Sequence, residues 1–228
     1  MSVYFPPIAR KARAKRLKLN PTPRHKKALP LFSSQARHSL TTSTASPSEP
    51  CQRSFTVRAG QGAESKWEVM ADPTAPSKPN VVAQTSADKT DYRFPLLIAD
   101  EGSFKDLELS VRFKPVSGEV DRAGGLVFRL KDANNYYIVR ANTSENNYRL
   151  YHVIDGSRRQ FAGASFKVTS GEWHELKVES VGNRIICYYD GSKKIEATDD
   201  TFKEAGKIGL WTKADSVTYF DDLKVVAK

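Results

Sequence analysis

Apolar and polar positions alternate along most of the chain from about Trp67 to its end. The clearest stretch is 107–114, LELSVRFK. Leu107, Leu109, Val111 and Phe113 fall on one side, and Glu108, Ser110, Arg112 and Lys114 on the other. A period of two marks a strand with one face in a core and one in water. The same reading predicts strands over 123–131, 135–142, 147–154, 157–162, 173–180, 184–189, 193–198, 206–212 and 217–226. Weaker strands are predicted at 67–69, 80–85 and 93–98. Asp155-Gly156 and Asp190-Gly191 are tight hairpin turns, and Gly124-Gly125 marks a bulge or a close backbone approach. One short helical turn is predicted over 199–205, with Asp199 or Asp200 as its cap and Gly206 as its end. About a dozen short strands with closely spaced turns argue an all-β fold, a sandwich or barrel. No repeat that would suggest a solenoid or propeller is visible.

Charge divides the chain. Of 228 residues, 1–58 hold 12 Lys/Arg and one acid, Glu49, while 59–228 hold 24 Lys/Arg and 25 Asp/Glu. The formal charge of +10 therefore belongs to the N-terminal part. Nucleic-acid binding by residues 59–228 is not expected, because it needs a basic face on the fold. Residues 1–58, basic and rich in Ser, Thr and Pro, are expected to be a disordered tail, and 59–228 a single folded domain. The apolar run at 28–32, ALPLF, is too short and too broken for an export signal. The tail's composition suits a transit peptide, an arm for anionic surfaces, or an extension upstream of the true start. The longest apolar stretch of the body, Phe94–Ala99, is far short of a membrane span. Two cysteines make no disulfide framework, and Cys187 reads as a buried, inert thiol. Nothing in the sequence indicates an oligomeric state.

Five ordered segments carry a family resemblance: 66–86, KWEVMADPTAPSKPNVVAQTS; 123–142, AGGLVFRLKDANNYYIVRAN; 149–158, RLYHVIDGSR; 171–179, GEWHELKVE; and 205–223, AGKIGLWTKADSVTYFDDL. Over about 60–226 the chain resembles concanavalin A-like (LamG-like) jelly-roll domains of the 3-keto-disaccharide hydrolase family, which is family-16-glycoside-hydrolase-like. The resemblance implies two stacked antiparallel sheets with a concave face that meets carbohydrate. It implies an extracellular or periplasmic location, although the chain shows no recognisable signal peptide. Catalytic relatives carry acids around a Tyr-Glu-x-Gln type pattern. This chain has NNYYIVRAN there, with no acid between Asp132 and Glu145. Relatives also begin with an Asp-containing strand that pairs near the C-terminal FDDL strand, an edge that can hold structural calcium. The corresponding stretch here, QRSFTVRAGQGAES, has no Asp, so a site built on Asp221 and Asp222 is incomplete. Adjacent strand residues point to opposite faces unless a bulge intervenes. No cofactor is expected.

A glycosidase needs two carboxyls flanking the scissile bond. The candidate pairs are Glu172 with Glu175, Asp199 with Asp200, and Asp215 with Asp221, and none is convincing, so whether the chain is an enzyme stays open. His152 and His174 stand apart from metal-ligand spacing. Sugar recognition needs aromatic platforms together with amide and guanidinium donors. Residues of those types cluster on the central strands. The ligand-contact set is Arg129, Asn135, Tyr137, Arg140, Asn142, Arg149 and Tyr151, with Trp211, Lys213 and Asp215 at the rim. The expected function is noncovalent glycan binding. The alternatives are glycosidic-bond hydrolysis and a structural sandwich without a small ligand.

Overall fold

The computed structural model describes residues 38–40 and 54–228, and the predicted disorder of the N-terminal part falls otherwise outside the described residues. The described strands are β1 (His38–Leu40), β2 (Ser54–Gly60), β3 (Trp67–Ala71), β4 (Asn80–Gln84), β5 (Arg93–Ala99), β6 (Leu107–Ser117), β7 (Ala123–Asp132) and β8 (Asn135–Asn142). They continue with β9 (Asn147–Ile154), β10 (Ser157–Ser165), β11 (His174–Val181), β12 (Arg184–Tyr189), β13 (Ser192–Thr198), β14 (Lys207–Thr212) and β15 (Val217–Ala227). All pairings are antiparallel. One sheet runs β13-β12-β11-β6-β15-β4-β3, with β1 beside β15. The other runs β10-β9-β8-β7-β14-β5-β2. Two stacked antiparallel sheets of this order form the expected jelly-roll sandwich.

The alternation in β6 does what its sequence dictates. Leu107, Leu109, Val111 and Phe113 are each 1 % exposed or less and pack between the sheets. Leu126, Phe128, Tyr137, Val139, Leu150 and Leu210 meet them from the other sheet. Full burial of such a side chain contributes roughly 1.5–3 kcal/mol. Hairpin turns form at both Asp-Gly pairs. Asp155 and Gly156 have φ of 48° and 77°, and Asp190 and Gly191 have 47° and 74°. Positive φ at both central residues is the turn that matches strand twist. Gly124-Gly125 is a close approach. A Cβ on Gly125 would stand 2.5 Å from the Val139 carbonyl oxygen.

Two features differ from the sequence reading, and a third is left conditional there. Residues 199–205 form no helix; Asp199 there accepts from the Tyr137 hydroxyl and the Thr201 N–H and meets His152. The strand at Ser54–Gly60 pairs with β5 in the seven-stranded sheet, so it does not lie beside β15. A bulge does interrupt β15, where Asp222 has φ of 51° and both aspartates turn toward Ser77.

Candidate functional site

A second apolar cluster is made only of residues from the seven-stranded sheet. It contains Phe94, Leu96 and Ile98 of β5, Val127 of β7, Tyr136 and Ile138 of β8, Tyr151 and Val153 of β9, and Trp211 of β14. These are the alternate positions to those in the inter-sheet core, so the cluster lies on the face turned away from the partner sheet. Trp211 is fully buried there and stacks on Phe94, with ring centroids 5.7 Å apart.

Arg158 of β10 roofs this floor. Its guanidinium carbon stands 4.7 Å from the Tyr151 ring centre, 4.9 Å from Phe94 and 5.5 Å from Trp211. In sheet order four strands separate β10 from β5. A flat sheet would place them about 24 Å apart, beyond the joint reach of an arginine and a phenylalanine. The sheet therefore curls, and its outer face is the inside of the curl. The Tyr92 hydroxyl ties the two ends together by donating to the Gly156 carbonyl at 2.6 Å.

Polar groups surround the floor. Arg140 of β8 is 4 % exposed and lies over Tyr151 at 5.7 Å from its ring centre. It donates to Glu145 at 2.7 Å, to the Tyr151 hydroxyl at 3.0 Å and to Asn147. Asn142 donates to Asp121 at 2.7 Å, and Lys213 reaches Asp121 at 3.1 Å and Asp91 at 2.6 Å. Burial raises the Asp121 carboxyl above its ordinary pKa, and the nearby Lys213 offsets only part of that. Burial also acts on Glu145, but hydrogen bonds from Asn147 and Arg140 outweigh it and hold that carboxyl low. Three buried donors on this face have no acceptor: Arg140 Nε, Arg158 Nη1 and Trp211 Nε1. The indole N–H faces the Tyr136 hydroxyl without making a well-formed hydrogen bond.

The ten residues singled out from sequence separate in space. Arg140, Asn142, Arg149, Tyr151, Trp211 and Lys213 fall on or beside the concave floor. Tyr137 has the opposite parity and is fully buried between the sheets, where its hydroxyl meets Asp199. Arg129 has φ of 48° at a bulge in β7 and is 1 % exposed. It donates to the carbonyls of Lys105 at 2.7 Å, Phe202 at 2.9 Å and Gly182 at 2.7 Å. Asn135 joins two hairpin turns, donating to Asp132 and accepting from the Asp155 N–H at 3.2 Å. Asp215 accepts the backbone N–H groups of Glu119, Val120 and Asp121. Those four serve the scaffold. Arg158 escaped the sequence reading, though its register opposite Val153 puts it on the Tyr151 face.

Residues 59–226 match the family described as the 3-keto-alpha-glucoside-1,2-lyase-like domain. The chain belongs to that family. A search of curated proteins finds no match. Among solved structures, the lyase-like domain is similar to the carbohydrate binding module CBM66 from Bacillus subtilis, with 19 % identity and a TM-score of 0.62 over 77 % of this chain and 98 % of that one. It is also similar to the exoplasmic/lumenal domain of VIP36 in a Ca2+/Man3GlcNAc-bound form, with 14 % identity and a TM-score of 0.57 over 84 % of this chain and 88 % of that one. A third similar structure is a Bacillus subtilis protein of unknown function with a galectin-like fold, with 13 % identity and a TM-score of 0.54 over 77 % and 90 % of the two chains. At these identities the likeness establishes the fold.

The acid pairs considered from sequence do not converge in this lyase-like domain. Asp199 binds Tyr137 and His152, whereas Asp200 receives the Asn183 amide. Asp221 accepts the Ser77 N–H, whereas Asp215 accepts N–H groups of the β6–β7 loop. Glu172 accepts from Thr169 in the loop before β11, whereas Glu175 lies on β11 opposite Arg112. His152 and His174 are each bound to one aspartate, Asp199 and Asp190. Asp221 and Asp222 with Ser77 supply far fewer than the six to eight oxygens of a calcium site, and no cluster of three metal-ligating side chains occurs among the described residues. Among those residues no helix is long and apolar enough to cross a membrane.

Proposed function

We propose that the protein binds carbohydrate noncovalently on the concave face of the seven-stranded sheet. The observation that carries this reading is the pair of orphaned arginine donors, Arg140 Nε and Arg158 Nη1, gathered over an aromatic floor. An orphaned buried donor costs about 1–3 kcal/mol, and a ligand rich in oxygen acceptors recovers that cost. A sugar ring would lie on the Arg158 guanidinium, which Tyr151, Phe94 and Trp211 support from below. Arg140, Arg149, Asn142 and Lys213 would frame the hydroxyls. The similar structures named for carbohydrate binding and for bound mannose support the reading.

Bond cleavage, which the family description suggests, needs a base free to take a proton. The carboxylates nearest the floor are both occupied, Glu145 by Arg140 and Asn147, and Asp121 by Lys213 and Asn142. Binding therefore stands ahead of catalysis. A structural sandwich is the second reading, favoured by the arginine that already covers the floor. A glycan array with the full chain, followed by calorimetry on Arg140→Gln and Arg158→Gln, tests the proposal. Each variant is expected to weaken a glycan hit roughly 10- to 100-fold. Unchanged affinity in both variants, or a blank array with folded protein, overturns it.

A further inference from the structure

The concave face carries more positive charge than its own carboxylates balance. Arg140 and Arg149 sit directly opposite one another on β8 and β9. Like charges so placed are destabilising. Glu145 answers Arg140, and Asp121 and Asp91 answer Lys213. Arg149 and Arg158 have no carboxylate within ion-pair distance among the described residues. Arg149 donates to Ser165 Oγ at 3.1 Å, and Arg158 rests on aromatic rings with Nη1 buried and unpaired. The orphaned atoms on this face are all N–H donors, so the missing partner is an acceptor. Residues 1–53, which hold Glu49 as their sole carboxylate, are poorly suited to supply it.

From this we infer that the ligand is an anionic sugar, whose carboxylate or sulfate is held by Arg149 while its ring covers the Arg158 guanidinium stacked on Tyr151. The inference rests on the carbohydrate-binding reading and narrows it. Guanidinium suits both anions, because its planar fork matches their oxygen spacing. The aromatic floor distinguishes the target from a free anion, since it needs an apolar ring face to cover.

The test is calorimetry on the full chain with uronate oligosaccharides, their carboxyl-reduced neutral counterparts and sulfated galactose oligosaccharides. Tighter binding by the uronate set assigns a carboxylate, and tighter binding by the sulfated set assigns a sulfate. The expected result is that one anionic set binds at least ten-fold more tightly than its neutral counterpart, and that added salt weakens it. Arg149→Gln should remove most of that preference, and Arg158→Gln should weaken anionic and neutral sugars alike, with far-ultraviolet circular dichroism confirming the fold. Equal binding of neutral sugars, dependent on Arg140, would overturn the inference and leave the carbohydrate reading standing. An anionic preference unchanged in Arg149→Gln would also overturn it, because the attraction would then belong elsewhere, as on the basic N-terminal residues. No binding of any sugar by folded protein would sink both.

Discussion

Replacing Asp215 by alanine removes the acceptor that anchors the loop between β6 and β7. Its carboxylate, 3 % exposed, accepts N–H groups from Glu119 at 2.7 Å, Val120 at 3.1 Å and Asp121 at 3.0 Å. A hydrogen bond to a charged group contributes about 1.5–3 kcal/mol. Glu119 and Val120 are exposed, so water replaces the carboxylate there. Asp121 is 2 % exposed, so its N–H would be orphaned. The expected loss is about 3–4 kcal/mol, one full charged bond plus part of two others. Asp215→Asn keeps one oxygen and should lose about 2 kcal/mol. Urea titration resolves both against a typical stability of about 5–15 kcal/mol.

Acid provides an internal check. Burial raises the Asp215 carboxyl, but the three backbone donors outweigh it, and the folded pKa lies below its ordinary value. Stability from a lowered carboxyl is present above the unfolded pKa and is lost as pH falls through the folded one. The gap between wild type and Asp215→Ala should therefore hold at neutral pH and narrow below about pH 4. A gap under about 1 kcal/mol at pH 7, or one that widens in acid, would refute this reasoning.

Three further outcomes are expected. Gly125→Ala should destabilise by about 1–3 kcal/mol in the same urea assay, because its Cβ would fall 2.5 Å from the Val139 carbonyl oxygen. Cys187 is fully buried and its thiol pKa is pushed well up, so peptide mapping should find it unalkylated in native protein and alkylated in urea. Tyr92→Phe removes the 2.6 Å tie to Gly156, and hydrogen exchange at the β9–β10 turn should quicken while the core strands stay protected.

The strands were legible because their physics is local. In β6 every second residue is apolar, and the structure buries those residues on one face. The Asp-Gly pairs specify their turns through positive φ alone. The candidate site was only half legible, because parity decides it and bulges change parity. By simple alternation Arg129 shares a face with Gly125 and Val127. The β7 bulge at that residue turns it instead toward the carbonyls of Lys105, Phe202 and Gly182. Tyr137 and Tyr136 are neighbours with opposite fates, and alternation cannot say which of two apolar faces meets the other sheet. Here Tyr137 goes to the inter-sheet core and Tyr136 to the concave floor. The curl that brings Arg158 over Phe94 is a property of the whole sheet, and no window of sequence contains it. Trp211 shows the same limit: it is fully buried, yet on the outer face.

The central claim is that the concave face takes a glycan, and the three indole N–H signals of Trp67, Trp173 and Trp211 report on it directly. Trp211 lies in the concave floor, Trp67 in the inter-sheet core, and Trp173 bonds Thr74 beside the eight-stranded sheet. Nuclear magnetic resonance titration of the full chain with the glycan found on the array should move the Trp211 indole signal in proportion to saturation. The Trp67 and Trp173 signals should stay fixed. A saturable glycan that moves Trp173 and leaves Trp211 in place would contradict the account.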